Sequence, residues 1–202
     1  RRNSACSGAL VAPRWVITAG HCFRTFDGVR VDYPVADLTT ATVGRTDLTG
    51  AGGHQVTIVA VRQSRTADVA LAKLETPITD VKPIRIGRHA PGIGAVVRLT
   101  GYGSTTSASP APVTRLRTGQ MTVASLAESV TGMRGHAPAP DTTPCPYDSG
   151  APFFLERRTQ RPTLVAVVSN GPSCPHTAVE NAARTDNIAG WILTTIGRRS
   201  HP

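Results

Sequence analysis

The chain has 202 residues and a formal net charge of +9, with only 17% charged and 4% aromatic residues. That length suffices for one substantial core or two small ones. Its basic residues are scattered (Arg14, Arg24, Arg30, Arg45, Arg62, Arg65, Arg157-Arg158) and not interleaved with aromatics, and no apolar run reaches eighteen residues, so neither a nucleic-acid surface nor a membrane-spanning helix is expected.

Taken in chain order, the pattern is one of short strands between breakers. Strands are expected over 8–12 and 15–19, on either side of Pro13, then over 41–45, 55–62, 68–74 and 95–102. Gln55 to Val61 alternates polar with apolar, as a half-buried strand does. The cluster Thr49-Gly50-Ala51-Gly52-Gly53 reads as a turn. Later strands are expected over 113–124, 151–156 and 163–169. Leu164 to Val168 is a continuous apolar run, suited to a strand buried on both faces. Residues 103–112 and 132–146, rich in Pro, Ser and Gly, read as long loops, and the second leads into Ser149 as a pocket wall. A helix is expected over 186–197, capped by Asp186 or Asn187. Ile188, Trp191, Ile192 and Thr195 would share one face, and Gly197 would stop it before Arg198-Arg199. So many short strands argue for an all-β sandwich or barrel.

Four cysteines, Cys6, Cys22, Cys145 and Cys174, suggest two disulfides and an oxidising compartment; three pairings are open. No C-x-x-C spacing occurs, which weakens zinc and redox readings. His54, His89, His136 and His201 sit in polar or Gly/Pro-rich contexts and read as surface residues. His176 follows Cys174 closely enough to touch a pocket but has no second metal ligand near it. No metal or cofactor is implied. The chain opens with Arg1-Arg2-Asn3 rather than a signal peptide, as a mature, processed or partial chain would.

The chemistry lies in TAGHC (18–22), ADVALAKL (67–74) and CPYDSGAPFF (145–154). A serine hydroxyl is inert at neutral pH until a base within hydrogen-bond reach takes its proton. That base works best when a carboxylate fixes its tautomer. Ser149 is the candidate nucleophile and His21 the base, returning the proton to the leaving group. Asp68 is the orienting carboxylate, expected to be buried because Val69-Ala70-Leu71 follow it.

On these residues the chain resembles the chymotrypsin-like (trypsin-fold) serine proteases, particularly secreted actinobacterial members. CSGALVAPRWVITAGHC (6–22) is similar to the family's first cysteine, strand and histidine block, and ADVALAKL to its aspartate block. GYG (101–103) resembles the turn opening the second barrel, and CPYDSGAP the serine block. VVSNGPSC (167–174) resembles the strand that pairs with bound peptide, and ARTDNIAGWI (183–192) the closing strand and helix. The resemblance implies an all-β fold of two antiparallel β-barrels with a C-terminal helix. Residues 1–90, lacking an upstream strand, would carry His21 and Asp68, and residues 91–202 would carry Ser149. It implies disulfides Cys6–Cys22 and Cys145–Cys174; the first closes a loop worth roughly 3 kcal/mol. It implies an oxyanion hole from the Tyr147 and Ser149 N–H groups, Ser169 supporting Asp68, and Ser169-Asn170-Gly171 binding peptide as an added strand. The implied activity is secreted endopeptidase, with esterase or a weakly active binding module as alternatives. The implied state is a monomer acting on a polypeptide or ester, with a protein protease inhibitor as a further partner.

Departures from the family pattern sharpen the expectations. Tyr147 and Ala151 stand where the family usually has glycine. Tyr147 either bears backbone strain of about 1–3 kcal/mol or flips its peptide and closes the hole. Asn170 replaces a common tryptophan. Thr143 takes the pocket-floor position of the trypsin-type aspartate, and Asp141 is a weak substitute. Glu180 either points inward, favouring basic substrate side chains, or outward as a surface glutamate. Only five residues precede Cys6, so Asp148 needs either a partner other than a freed N-terminus, for which Arg98 is the candidate, or an upstream segment missing from this chain.

Overall fold

The computed structural model describes residues 5–34 and 38–197; Arg1-Arg2-Asn3, Arg198-Arg199 and His201 lie outside them. The chain begins with β1 (Ala9–Ala12) and β2 (Trp15–Thr18), a hairpin turning at Pro13-Arg14. Proline suits that turn because its φ is already set. Then follow β3 (Tyr33–Pro34), β4 (Thr40–Val43), β5 (His54–Gln63) and β6 (Ala70–Leu74). They form one curved antiparallel sheet in the order β1-β2-β6-β5-β3, with β4 also on β5.

The second half supplies β7 (Arg85–Ile86), β8 (Val96–Gly101), β9 (Arg117–Leu126), β10 (Val130–Ala137), β11 (Pro152–Arg157), β12 (Gln160–Asn170) and β13 (Glu180–Arg184). Their order is β11-β8-β9-β10-β13-β12, and β12 returns to pair with β11, so these six close into a barrel; β7 attaches to β12 in parallel. The expected all-β architecture of two barrel-like sheets with a C-terminal helix is therefore present. Closure removes the exposed edges that an open sheet would leave.

Period-two alternation sorts side chains into three apolar layers. Leu10, Val16, Ile58, Val61 and Leu74 fill the first sheet. Val97, Leu99, Met121, Met133, Phe153 and Val165 fill the second barrel. A middle layer of Ile17, Val69, Leu71, Leu164, Val167 and Ile192 joins them. The run Leu164 to Val168 is buried throughout, as its composition predicts.

Three expectations are corrected. Residues 132–137 are strand rather than loop. They lie between β9 and β13, where Gly132 leaves room for Ser125 and Val179, whose atoms would stand 2.2 and 2.9 Å from any added Cβ. The strand expected from 113 starts only at Arg117. The terminal helix opens with a 3-10 turn at Asp186–Ile188, and α1 is Ala189–Gly197. Asp186 does not cap it: both carboxylate oxygens take the Arg184 guanidinium, at 2.8 and 3.0 Å. Asn187 donates instead to the Glu128 carbonyl. Ile188, Trp191 and Ile192 do share a face, against the middle layer.

Candidate active site

The candidate site lies where the two sheets meet. A 3-10 turn over Gly20–Cys22 follows β2 and presents His21, and the disulfide Cys6–Cys22 ties this turn to the segment that leads into β1. The Ser64 hydroxyl accepts from the N–H groups of Thr66 and Ala67, folding the turn that places Asp68 at the head of β6. Ser149 sits in the turn before β11. Disulfide Cys145–Cys174 joins that turn's segment to the one after β12. Both pairings are those the resemblance implied.

His21 Nδ1 lies 2.7 Å from Asp68 Oδ2, and His21 Nε2 lies 2.8 Å from Ser149 Oγ. The His21 backbone N–H donates to Asp68 Oδ1 at 2.9 Å, and the Ser169 hydroxyl to Oδ2 at 2.7 Å. Burial pushes the Asp68 carboxyl up, but the bonds from His21 and Ser169 outweigh it and hold the group well below the usual carboxylate range. A carboxylate held ionised beside Nδ1 fixes the proton there and leaves Nε2 free to accept from Ser149.

Tyr147 has φ +77°, the left-handed region that glycine occupies without penalty. The Pro146 carbonyl accepts from Ser104 N–H at 2.8 Å. In a trans peptide the Tyr147 N–H then points the opposite way. The Tyr147 carbonyl accepts from the Ser7 hydroxyl at 3.0 Å. Of the two outcomes open for Tyr147, the structure holds the strained, unflipped one. Among the described residues neither the Tyr147 nor the Ser149 N–H donates to another protein group. Two such donors beside the candidate nucleophile would suit a developing oxyanion.

Asp148 is buried and accepts from Gly103 N–H at 2.8 Å and Cys145 N–H at 3.0 Å. Burial pushes its carboxyl up against those two bonds. Arg98 is not its partner. Alternation along β8 turns Val97 and Leu99 inward and Arg98 outward, where Nε meets Glu156 at 2.7 Å and Nη1 meets Thr118 at 3.0 Å. Arg98→Ala is accordingly expected to keep full turnover and lose no more than about 1 kcal/mol, as partly exposed pairs do. A tenfold fall in kcat/KM in a folded variant would restore a link between Arg98 and Asp148.

Glu180 points inward, at 3% exposure, rather than outward. Its Oε2 lies 2.8 Å from His176 Nε2, a pairing invisible in sequence. Burial pushes this carboxyl up, His176 opposes that, and the charge of Asp148 adds to it. It sits directly behind Gly171, where a Cβ would stand 1.8 Å from Oε2. Thr143 is half-buried, its hydroxyl 3.5 Å from the Asp141 carbonyl. Asn170 is exposed and bonded to Asn181 at 3.0 Å. Pairing between β11 and β12 reaches Val168, so Ser169 to Gly171 present an edge that no described strand occupies. A cavity of about 380 Å³ opens beside Asp68 and Ser169, with Arg30, Arg65, Thr66 and Asn170 in its wall. In the sequence Arg30 is one of several scattered arginines expected at the surface. Its Nη2 lies 3.0 Å from Asp68 Oδ1.

The family model described as Trypsin matches residues 1–192. The chain belongs to the trypsin family. Among curated relatives, the thrombin-like enzyme kangshuanmei of Gloydius brevicauda is 27% identical over 112 residues, covering 52% of this chain and 45% of that protein. Trypsin epsilon of Drosophila erecta is 26% identical over 187 residues, covering 84% and 68%. Serine protease SP24D of Anopheles gambiae is 26% identical over 206 residues, covering 96% and 72%. The chain thus spans under half of the first relative and about two thirds of the others. Among solved structures, neuropsin, a serine protease expressed in the limbic system of mouse brain, superposes with a TM-score of 0.77 at 19% identity. That match covers 95% of this chain and 88% of the other, and it is a likeness of fold. These relatives are from snake and insects and give no support to the actinobacterial kinship within the trypsin family.

Proposed function

We propose that this chain is a secreted serine endopeptidase. The single observation that carries the reading is the unbroken line Asp68–His21–Ser149, with contacts of 2.7 and 2.8 Å, beside two uncommitted backbone N–H groups. In this reading residues 1–90 supply the base and its carboxylate, and residues 91–202 supply the nucleophile. A polypeptide adds as a strand along Ser169-Asn170-Gly171. Ser149 Oγ attacks the carbonyl carbon as its proton passes to His21 Nε2. The carbonyl oxygen becomes an alkoxide against the N–H groups of Tyr147 and Ser149. The C–N bond then breaks as His21 returns the proton to the amine, leaving an acyl-enzyme. Water repeats the sequence with His21 again as base and frees the acid. The disulfides Cys6–Cys22 and Cys145–Cys174 support secretion. The chain acts as a monomer in this reading, and a protein inhibitor occupying the same strand edge is its natural partner.

Thr143 and Glu180 would line the pocket for the side chain preceding the scissile bond. With its carboxylate behind Gly171, Glu180 favours Lys or Arg there. Reaction with a phosphonate serine probe, followed by turnover of matched amides and esters, tests the proposal. The expected results are label on Ser149 and cleavage of both substrates. A preference of at least about tenfold for Lys and Arg over Leu is also expected, to be lost in Glu180→Gln. An unlabelled Ser149 would leave only a binding module. Ester turnover without amide turnover would make the chain an esterase. Indifference to the basic side chain would remove Glu180 from the pocket.

A further inference from the structure

The hairpin that follows His21-Cys22 returns a cation to the carboxylate behind His21. Its turn is fixed by Thr25 N–H donating to the Val29 carbonyl at 2.7 Å, and Gly28 N–H to that of Thr25 at 3.0 Å. Val31 N–H reaches Phe23 at 2.9 Å. Gly28 stands at φ +87°, which a glycine adopts without strain. Arg30 leaves this turn with Nη2 3.0 Å from Asp68 Oδ1 and Nη1 3.5 Å from the Ala67 carbonyl. It therefore engages the carboxylate oxygen opposite the one that meets the His21 ring. The Arg30 side chain is 42% exposed against 17% for that of Asp68, so the pair is partly shielded from water.

We propose that Arg30 is a positioning residue for the Asp68–His21 pair: it holds Oδ1 so that Oδ2 stays in line with Nδ1, and its guanidinium opposes positive charge on the imidazole. The inference rests on the reading of His21 as the base. A guanidinium one carboxylate away from the imidazole repels the imidazolium, and the attraction of Asp68 for it is partly spent on Arg30. Other charged groups lie differently. Arg24, on the same hairpin, donates to the His21 carbonyl rather than to the carboxylate. Arg65, before β6, faces the cavity beside Asp68. Asp32 accepts from the Gln63 N–H, and Asp148 is turned to Gly103 and Cys145. β12 contributes Ser169, which carries no charge.

The test is the titration of His21 ring signals by NMR, together with the pH profile of kcat/KM, in the wild type, Arg30→Gln and Arg30→Lys. In Arg30→Gln the ring midpoint and the acid limb are expected to move up together by about 0.5–1 pH unit, because a cation that opposed the imidazolium is gone. The plateau should fall by less than about tenfold, since His21 N–H and Ser169 still hold Asp68. Arg30→Lys, which keeps the charge, should recover most of the shift without the planar fork. A ring midpoint in Arg30→Gln that stays put or moves down would overturn the proposal. So would an Arg30→Lys shift as large as that of Arg30→Gln, which would make the effect one of shape. Absence of turnover in the wild type with the expected NMR shift would fell the endopeptidase reading and leave Arg30's coupling to His21 standing.

Discussion

Asp68→Asn is expected to lower kcat by about 10⁴ at neutral pH in a chain that still folds. Two donors meet at Oδ1, the His21 N–H at 2.9 Å and Arg30 Nη2 at 3.0 Å. An asparagine amide will place its only oxygen there, because its NH₂ would face both donors. That orientation turns the NH₂ toward His21 Nδ1, where the carboxylate oxygen stood at 2.7 Å. The ring must then accept at Nδ1 and carry its proton on Nε2, the nitrogen that accepts from Ser149 in the proposed mechanism. Arg30 thus makes the wrong tautomer the preferred one. Active-site titration followed by ester turnover gives the measurement, and a fall of less than tenfold would remove Asp68 from its proposed role.

The same substitution has a stability signature of known sign. The Asp68 carboxyl is held below its unfolded range, so it stabilises the fold above that range and ceases to as pH falls through its folded value. Asparagine lacks the contribution at every pH. The difference in melting temperature between wild type and Asp68→Asn should therefore be fullest above about pH 4 and shrink in stronger acid. A difference that grows on acidification would contradict the assigned contacts.

What the sequence made legible was local. His21 could be read because Cys22 and the apolar run before it fix one short turn. Asp68 could be read because Val69 to Leu74 is a strand too apolar to lie outside. Nearness to the GYG turn suggests Arg98 as the partner of Asp148, although the alternation Val97-Arg98-Leu99 turns it away from the interior. The partners across the fold were not legible. Arg30 reaches Asp68 only because the hairpin at Gly28 doubles back, and no spacing rule links positions 30 and 68. The His176–Glu180 pair depends on how the segment after Cys174 enters β13. β10 is hard to read in the sequence because Gly132 and Gly135 are poor strand residues. They are tolerated where neighbouring side chains and carbonyls fill the space a Cβ would need.

Gly103→Ala carries the second large expected effect, and it tests the support of the oxyanion donors rather than the proton path. A Cβ on Gly103 would stand 2.0 Å from Asp148 Oδ2 and 2.1 Å from its Cγ. Asp148 has no free direction in which to retreat: it is buried and bonded to Gly103 N–H and Cys145 N–H. The clash must be relieved by moving the turn, and Asp148 lies between the two residues whose N–H groups are proposed to face the developing oxyanion. Losing the alignment of one such donor is expected to lower kcat by about 10²–10³ on esters and amides alike. Overpacking this site should also cost about 1–3 kcal/mol of stability. Gly190→Ala serves as the control, because nothing lies within 4 Å of its added Cβ in α1. It should leave kcat unchanged and gain about 0.5–1 kcal/mol, as a glycine replaced within a helix does. If Gly103→Ala behaves like Gly190→Ala, the Asp148 contacts do not hold the oxyanion donors in place.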